Sequence, residues 1–356
     1  MSSTFGQKIK YSVFGQSHSE KIGVVIDTLP AGFAPDFERL LAFCARRTAV
    51  GKEGTTARKE TDTPEIVSGL IDGRTCGAPL CALIANRDVR SADYEELKVL
   101  PRPSHADYPA TVKHGGFQDV RGGGHFSARL TAPFVFAGGL VMQLLEKKGI
   151  RIAARIRRVG TQEDLPLDLA SIDESLLDEL LQKSFPTLGD PAPLQEEIRK
   201  AEADADSVGA VLECIVLGLP VGLGEPMFDS LESRISSLAF SIPAVKGIEF
   251  GTGFALASMR GSVANDPYFI DEAGTIKTKT NHNGGILGGL STSMPLVFSV
   301  AFKPTPSIGL EQETVNLQTL ENATLTVRGR HDPCVALRAL PIVESAAALA
   351  LSDFLL

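Results

Sequence analysis

Apolar and polar positions along the chain follow two rhythms. "KIKYSVFG" (8–15) and "IGVVIDT" (22–28) place apolar and β-branched residues at the two-residue spacing of strands, and "EIVSGLI" (65–71) and "PLCALIA" (79–85) read the same way. "APDFERLLAFCARR" (34–47) changes to three- and four-residue spacing behind an aspartate, the mark of a capped amphipathic helix. From Ser127 to Lys148 the chain is apolar around most of a helical circumference, which predicts a buried helix. Two amphipathic helices follow (172–185 and 192–207), then a strand (209–220), a helix (228–241), a strand region (247–258), a glycine-rich turn running into a strand (281–308) and a final buried helix (333–356). Strands and helices do not alternate regularly, so a doubly wound parallel sheet is disfavoured. Strand pairs separated by long helices instead predict an α+β fold, layered as a β-α-β sandwich with antiparallel sheets around central helices. The 281–308 stretch echoes 120–145, with a glycine cluster, hydroxyls and an apolar run in that order, which is how a duplicated architecture reads.

With 356 residues, 43% of them hydrophobic, the chain can bury a large core. One domain over 1–356 is expected, with a helical arm at about 161–207. That arm holds the negative charge: 13 Asp/Glu against 3 Lys/Arg, a balance of −10 within a total of −8, so the remainder carries +2. Arginine groups at 45–47, 151–158 and 328–332 are dense enough to receive an anion. A nucleic-acid groove is disfavoured, because no long lysine run or arginine–aromatic interleaving is present. The longest apolar stretch, 132–145, is short and glycine-broken for a bilayer span, and the first dozen residues lack an apolar signal core. A cytoplasmic chain without a membrane partner is therefore expected. Five scattered cysteines without a C-x-x-C pair point to reduced thiols.

Chemistry concentrates in a few loops. "VRGGGHFSARL" (120–130) sets three consecutive glycines beside His125, Ser127 and Arg129. Glycines in series weaken local structure, and the usual return is backbone N–H groups that can approach a ligand closely. It is not a Walker loop, since no Gly-Lys-Ser/Thr follows, and "GGILGG" lacks the strand–turn–helix context of a dinucleotide fingerprint. "GQSHSEKIG" puts Ser17 and His18 in a turn between strands. "RPSHADYP" sets Arg102, His105 and Asp107 in a proline-stiffened loop where a carboxylate can fix a histidine tautomer. "FKPTPSI" offers Lys303, Thr305 and Ser307 around two prolines, and "RGRHDPC" gathers Arg328, Arg330, His331 and Asp332 before the last helix, where capping is the default role for Asp332. No histidine pair has metal-ligand spacing.

Taken in order, these motifs resemble the chorismate synthase family over about 330 residues: "FGQSHSEKIGVVIDTLPAG", "RRTAVGKEGTTARKETDTPEIVSGL", "RPSHADY", "RGGGHFSARLT", "PAVKGIEFGTGF", "NHNGGILGGLSTS", "KPTPSI" and "RGRHDPCVALRALPIVE". The resemblance implies an anti-1,4 elimination of phosphate from 5-enolpyruvylshikimate 3-phosphate, giving chorismate, with reduced FMN required. Ser17, Arg46 and its neighbours, Lys52, Arg102, Arg129 and Arg338 would then hold the anionic substrate. His18 would be the acid near the leaving phosphate, charging when substrate arrives. His105 would tune the flavin's protonation and Asp332 would relay the proton leaving the substrate. FMN would lie against His125, Phe126 and Ser127, the turn at Pro243 and Ala244, Gly288, the loop of Lys303, Pro304, Thr305, Pro306 and Ser307, and Arg330. The resemblance also implies a homotetramer and an external flavin reductant.

The chain departs from the family pattern where G-E-S-H-G becomes Gly15-Gln16-Ser17-His18-Ser19 and where G-G-G-R-S-S-A-R-E becomes Gly122 to Leu130, with His125, Phe126 and Leu130 in place of Arg, Ser and Glu. Thr28 stands where glycine is usual, and Lys52 or Glu53 where an arginine is expected. Losing two cations predicts weaker flavin or substrate affinity. A divergent flavin- or phosphate-binding homologue without turnover is the competing function. A metal-dependent hydrolase has no support beyond the histidine count.

Overall fold

Five strands from the first 85 residues form one sheet: β1 (Thr4–Phe5), β2 (Lys10–Phe14), β3 (Lys21–Asp27), β4 (Pro64–Ser68) and β5 (Leu80–Ala85). Their spatial order is β1-β2-β3-β5-β4, and every pairing is antiparallel. The computed structural model describes residues 3–48, 62–87, 96–327 and 332–356. The register Ile22↔Ile84, Val24↔Ala82 and Ile26↔Leu80 brings one apolar face together, and all six side chains are buried. Helices α1 (Phe37–Ala45), α2 (Asp107–His114) and α3 (Thr131–Glu146) follow. Asp36 caps α1 by accepting from the Arg39 N–H at 3.0 Å, and α3 lies across the sheet's inner face with α1 beside it.

A second five-stranded sheet comprises β6 (Arg151–Val159), β7 (Gln162–Glu163), β8 (Ala210–Leu217), β9 (Val245–Phe250) and β10 (Leu296–Phe302). Its order is β9-β10-β8-β6-β7, again all antiparallel. The remaining helices are α4 (Glu174–Gln182), α5 (Ala192–Ala203), α6 (Leu231–Ala239), the four-residue α7 (Gly261–Ala264) and α8 (Ala336–Leu355). β8 and β10 are buried along nearly their whole length because both faces are covered. α8 packs on one face. On the other, Ile172, Leu177 and Leu180 from the acidic arm meet Ala153, Ile215 and Val297.

Sheet, helices, sheet is thus the layered α+β sandwich read from the sequence, with α3 against α8 at its centre. Their closeness depends on Gly138: a β-carbon there would lie 2.2 Å from both Cβ and Oγ of Ser345. The two halves also share one connection scheme, β2-β3-α1-β4-β5-α3 and β6-β8-α6-β9-β10-α8. In each, the fourth strand inserts between the second and third and leads to the buried helix, and the shorter helix packs on the longer one.

Two readings change in detail, and the sequence left two elements unread: α2 and a turn of 3₁₀ helix at Glu96–Lys98, both within 86–126. The strand region at 247–258 ends at Phe250, where Gly251 takes φ +55° and the chain turns into 3₁₀ helix. The stretch 132–145, read as too short for a bilayer span, lies within the helical run Ala128–Glu146, which is long and apolar enough to cross a membrane, yet its most apolar window is 83% buried inside the fold.

Candidate active site

A cavity of about 930 Å³ opens between the sheets, at the ends of α3 and α8 and against the turns that precede them. The triple-glycine turn forms part of its wall. Gly122, Gly123 and Gly124 take φ of +60°, +82° and +55°, a run of left-handed backbone that L side chains rarely enter. Space is as restrictive as conformation. A β-carbon on Gly122 would sit 2.4 Å from Ser17 Oγ and 2.5 Å from His18 Cε1. One on Gly123 would sit 3.1 Å from His105 Cε1 and 3.3 Å from its Nε2, and one on Gly124 would strike the Asp119 carbonyl at 2.1 Å. Two adjacent glycines therefore separate the two imidazoles, and the Ser17 N–H donates to the Gly124 carbonyl at 3.0 Å to lock the loops together. Ser17 and His18 do not line the cavity themselves; they pack on Gly122, which does. Asp119, close enough to feel the charge of His18, is held below the usual carboxylate range by the Arg121 guanidinium, at 2.8 and 2.9 Å.

His105 lines the cavity, and its orientation is settled by Asp107. The His105 Nδ1 lies 2.6 Å from Asp107 Oδ1, while Arg102 donates to the same carboxylate from Nε at 2.8 Å, Nη2 at 2.9 Å and its backbone N–H at 3.1 Å. Arg102 Nη2 is also 3.1 Å from Nδ1, but a guanidinium has no acceptor, so the imidazole proton goes to Asp107. That tautomer leaves Nε2 as the acceptor beside Gly123. Burial pushes the Asp107 pKa up, yet the hydrogen bonds from Arg102 and His105 outweigh it and hold the carboxyl well below its ordinary value. Arg102 Nη1 reaches on to Ser307 Oγ at 3.2 Å, tying this loop to the one at 303–307.

The arginines divide. Arg102, Arg129 and Arg338 line the cavity, as expected for an anion clamp, and Arg47 joins them. Arg46 does not: it turns to the fully buried Glu344, donating at 2.6 and 2.9 Å, and packs its guanidinium over Phe43. The two arginines follow one another in the turn that closes α1 and point in different directions, and residue type alone does not choose between them. Asp62, which the sequence reading passed over, is the acceptor for both Arg47 (Nη1, 2.6 Å) and Arg129. Asp332 is not a helix cap, since α8 begins after Val335. Its carboxylate lines the cavity and accepts from Arg338 Nη1 at 2.5 Å. Its carbonyl accepts from Thr305 Oγ1 at 2.9 Å.

Among the residues expected at the flavin, His125, Phe126, Ser127, Pro243, Ala244, Lys303, Thr305, Pro306 and Ser307 all line the cavity. Ala244 is held at φ +73°, an unusual conformation for alanine, and its carbonyl accepts from the Lys303 N–H at 2.9 Å. Partial burial, and then the charge of Lys246, pull the Lys303 pKa down. Lys246 also lines the cavity and was missed, because a lone lysine on a strand carries no signal. Two residues fall elsewhere. Pro304 faces Gly209, and the exposed Gly288 forms a two-residue hairpin turn with the buried Gly289, both at positive φ, where glycine answers to turn geometry. Lys52 and Arg330 lie outside the described residues. The lining thus combines apolar surface, from Phe126, Phe134, Leu238 and Ile242, with the cations Arg47, Arg102, Arg129, Arg338, Lys246 and Lys303. A flat aromatic group with an anionic tail, beside a small polyanion, suits both the size and this mixed lining.

Comparison with known proteins identifies the family and the fold. Residues 9–356 match the family described as chorismate synthase. A chorismate synthase of Thermococcus kodakarensis is 45% identical over 354 residues, covering 99% of this chain and 97% of its own. One from Chitinophaga pinensis is 45% identical over 353 residues, covering 99% and 96%. One from Korarchaeum cryptofilum is 41% identical over 354 residues, covering 99% and 97%. Among solved structures, a crystal structure of chorismate synthase superposes with a TM-score of 0.76 at 24% identity, over 98% of this chain and 92% of that one, and so shares the fold.

Proposed function

This chain belongs to the chorismate synthase family, and from that premise we propose that it is a carbon–oxygen lyase that eliminates phosphate from 5-enolpyruvylshikimate 3-phosphate to give chorismate. The observation that carries the reading is an arginine-rich cavity that His105 lines and His18 abuts through Gly122, the two imidazoles packing on neighbouring glycines. Arg47, Arg102, Arg129 and Arg338 bind the substrate's carboxylates and phosphate, and their fixed hydrogen bonds lower the cost of orienting it. His18 holds the proton given to the bridging oxygen as phosphate leaves, which is the point where negative charge grows. Asp332 accepts the proton removed from the ring, and the hydrogen bond from Arg338 aims that carboxylate. His105 offers Nε2 as an acceptor at the cavity wall, with Asp107 fixing the tautomer.

The apolar part of the lining fits an isoalloxazine ring, with Phe126, Pro243 and Ala244 against it and Lys303, Thr305 and Ser307 toward its polar atoms. Reduced FMN bound there supplies the electron density that assists C–O cleavage. In this reading the flavin is reduced by a separate molecule. Assembly is read as a homotetramer, supported by apolar side chains left exposed at Phe254, Tyr268, Ile270 and Ile276. A cytoplasmic setting is supported by the buried, free Cys44, Cys214 and Cys334.

The test is phosphate release from 5-enolpyruvylshikimate 3-phosphate under anaerobic conditions with chemically reduced FMN. Turnover of substrate to chorismate is expected. Flavin uptake without phosphate release would instead establish the divergent binding homologue.

A further inference from the structure

The segment from Ser3 to Ile9 is fastened at both ends. Asp353, on the last turn of α8, accepts backbone N–H groups from Gln7 (2.9 Å), Lys8 (3.0 Å) and Ile9 (3.3 Å), and also pairs with Arg234, whose guanidinium lies 4.8 Å over the Phe5 ring. At the other end, Ser3 Oγ lies 3.0 Å from His125 Nε2, while His125 Nδ1 lies 2.9 Å from the Gly15 carbonyl. Between these fastenings β1 pairs with β2, and the Ser3 carbonyl accepts from the Val13 N–H at 2.9 Å. Ser3, Thr4 and Phe5 all face the cavity.

His125 commits both ring nitrogens to the protein. A carbonyl can only accept, so Nδ1 carries a proton toward Gly15, and Nε2 receives the Ser3 hydroxyl proton. On protonation Nε2 donates instead, and the hydroxyl, both donor and acceptor, turns to receive it. The contact therefore survives in either charge state. We propose that His125 and Ser3 are positioning residues: their hydrogen bond clasps the N-terminal segment against the Gly15 turn, making Ser3 to Phe5 a fixed wall of the ligand cavity. His125 then serves the cavity by shaping it, and meets a ligand only through ring carbon. The proposal rests on the flavin and substrate reading for its kinetic consequences, while the clasp itself is a property of the unliganded protein.

Two measurements on the full chain test it. Hydrogen exchange of the Thr4 and Phe5 amides without ligand should speed up in Ser3→Ala and in His125→Phe, and return to the parent rate in Ser3→Thr. FMN titration and steady-state kinetics should show both disruptive variants raising the FMN dissociation constant and substrate KM roughly three- to tenfold, the range for one lost hydrogen bond, with kcat held within about twofold and rescue by Ser3→Thr. Unchanged exchange in Ser3→Ala overturns the clasp. A loss of affinity in His125→Phe that Ser3→Ala does not share also overturns it, because His125 would then act on the ligand directly. If the parent chain takes up no FMN, the functional reading fails, and the exchange result still decides whether the clasp exists.

Discussion

Replacing Asp107 by asparagine keeps the shape of the side chain and removes the charge that three groups share. In the native protein this carboxylate accepts four hydrogen bonds from Arg102 and His105 while nearly buried. The amide that Asp107→Asn introduces retains one acceptor oxygen and turns a donor toward either the guanidinium or the imidazole. Breaking a buried ion pair by removing one partner costs about 3 kcal/mol or more, because Arg102, itself buried, loses its counter-charge. Catalysis should suffer separately. If the amide N–H faces Nδ1, the imidazole proton moves to Nε2, and the acceptor beside Gly123 is lost, for a fall in kcat of roughly 10²-fold. Denaturant titration reads the first effect and steady-state phosphate release the second, and ¹⁵N spectra of the imidazole report the tautomer directly. The stability difference from the parent also has a defined pH window. Because the folded carboxyl sits below its ordinary pKa, the contribution is complete above the unfolded value of about 4 and disappears as pH falls through the folded value. A variant with parental kcat and the parental imidazole spectrum would refute the assignment of Asp107 as the group that sets His105.

Three further outcomes follow from the same geometry. Gly122→Ala combines positive φ with a β-carbon 2.4–2.6 Å from Ser17 and His18, so it should lower turnover by roughly 10² through displacement of His18, the lower end for losing a proton-transfer group; activity within about twofold of the parent would show that the turn tolerates a side chain. Arg46→Ala should destabilise the fold by about 3–5 kcal/mol by leaving Glu344 buried without its cation, a loss that Arg46→Met combined with Glu344→Leu largely recovers; chemical denaturation measures both. Lys303 has a lowered pKa, from burial first and Lys246 second, so FMN binding should draw a proton to it and weaken as pH rises toward that value; a Lys303→Gln variant with the parental pH slope in isothermal titration would argue against its contact with the ligand.

Much of this architecture was legible because its periodicities are enforced by burial. β3 and β5 alternate because one face of their sheet packs on α3, and α3 and α8 are apolar all round because each lies between layers. The short motifs also marked most of the cavity: His105, His125 to Ser127, Arg129, Thr305 to Ser307, Asp332 and Arg338 all reach it. Reading failed where two neighbours of one type face opposite ways, as with Arg46 and Arg47, and where glycine answers to a turn, as at Gly288. It also failed where the partner is remote. Nothing near Asp62 in the sequence announces Arg129, 67 residues away, or near Ser3 announces His125, 122 residues away.

Local sequence, then, determined the elements, the layer order and the residue types a polyanion and a flavin require, since spacing along one segment decides which side of a helix or strand is wetted. Only the tertiary structure decided which arginine faces the cavity, which carboxylate orients which imidazole, and how close two histidines lie across adjacent glycines. Those relations depend on side-chain direction and on contacts between segments distant along the chain, which no single stretch of residues encodes.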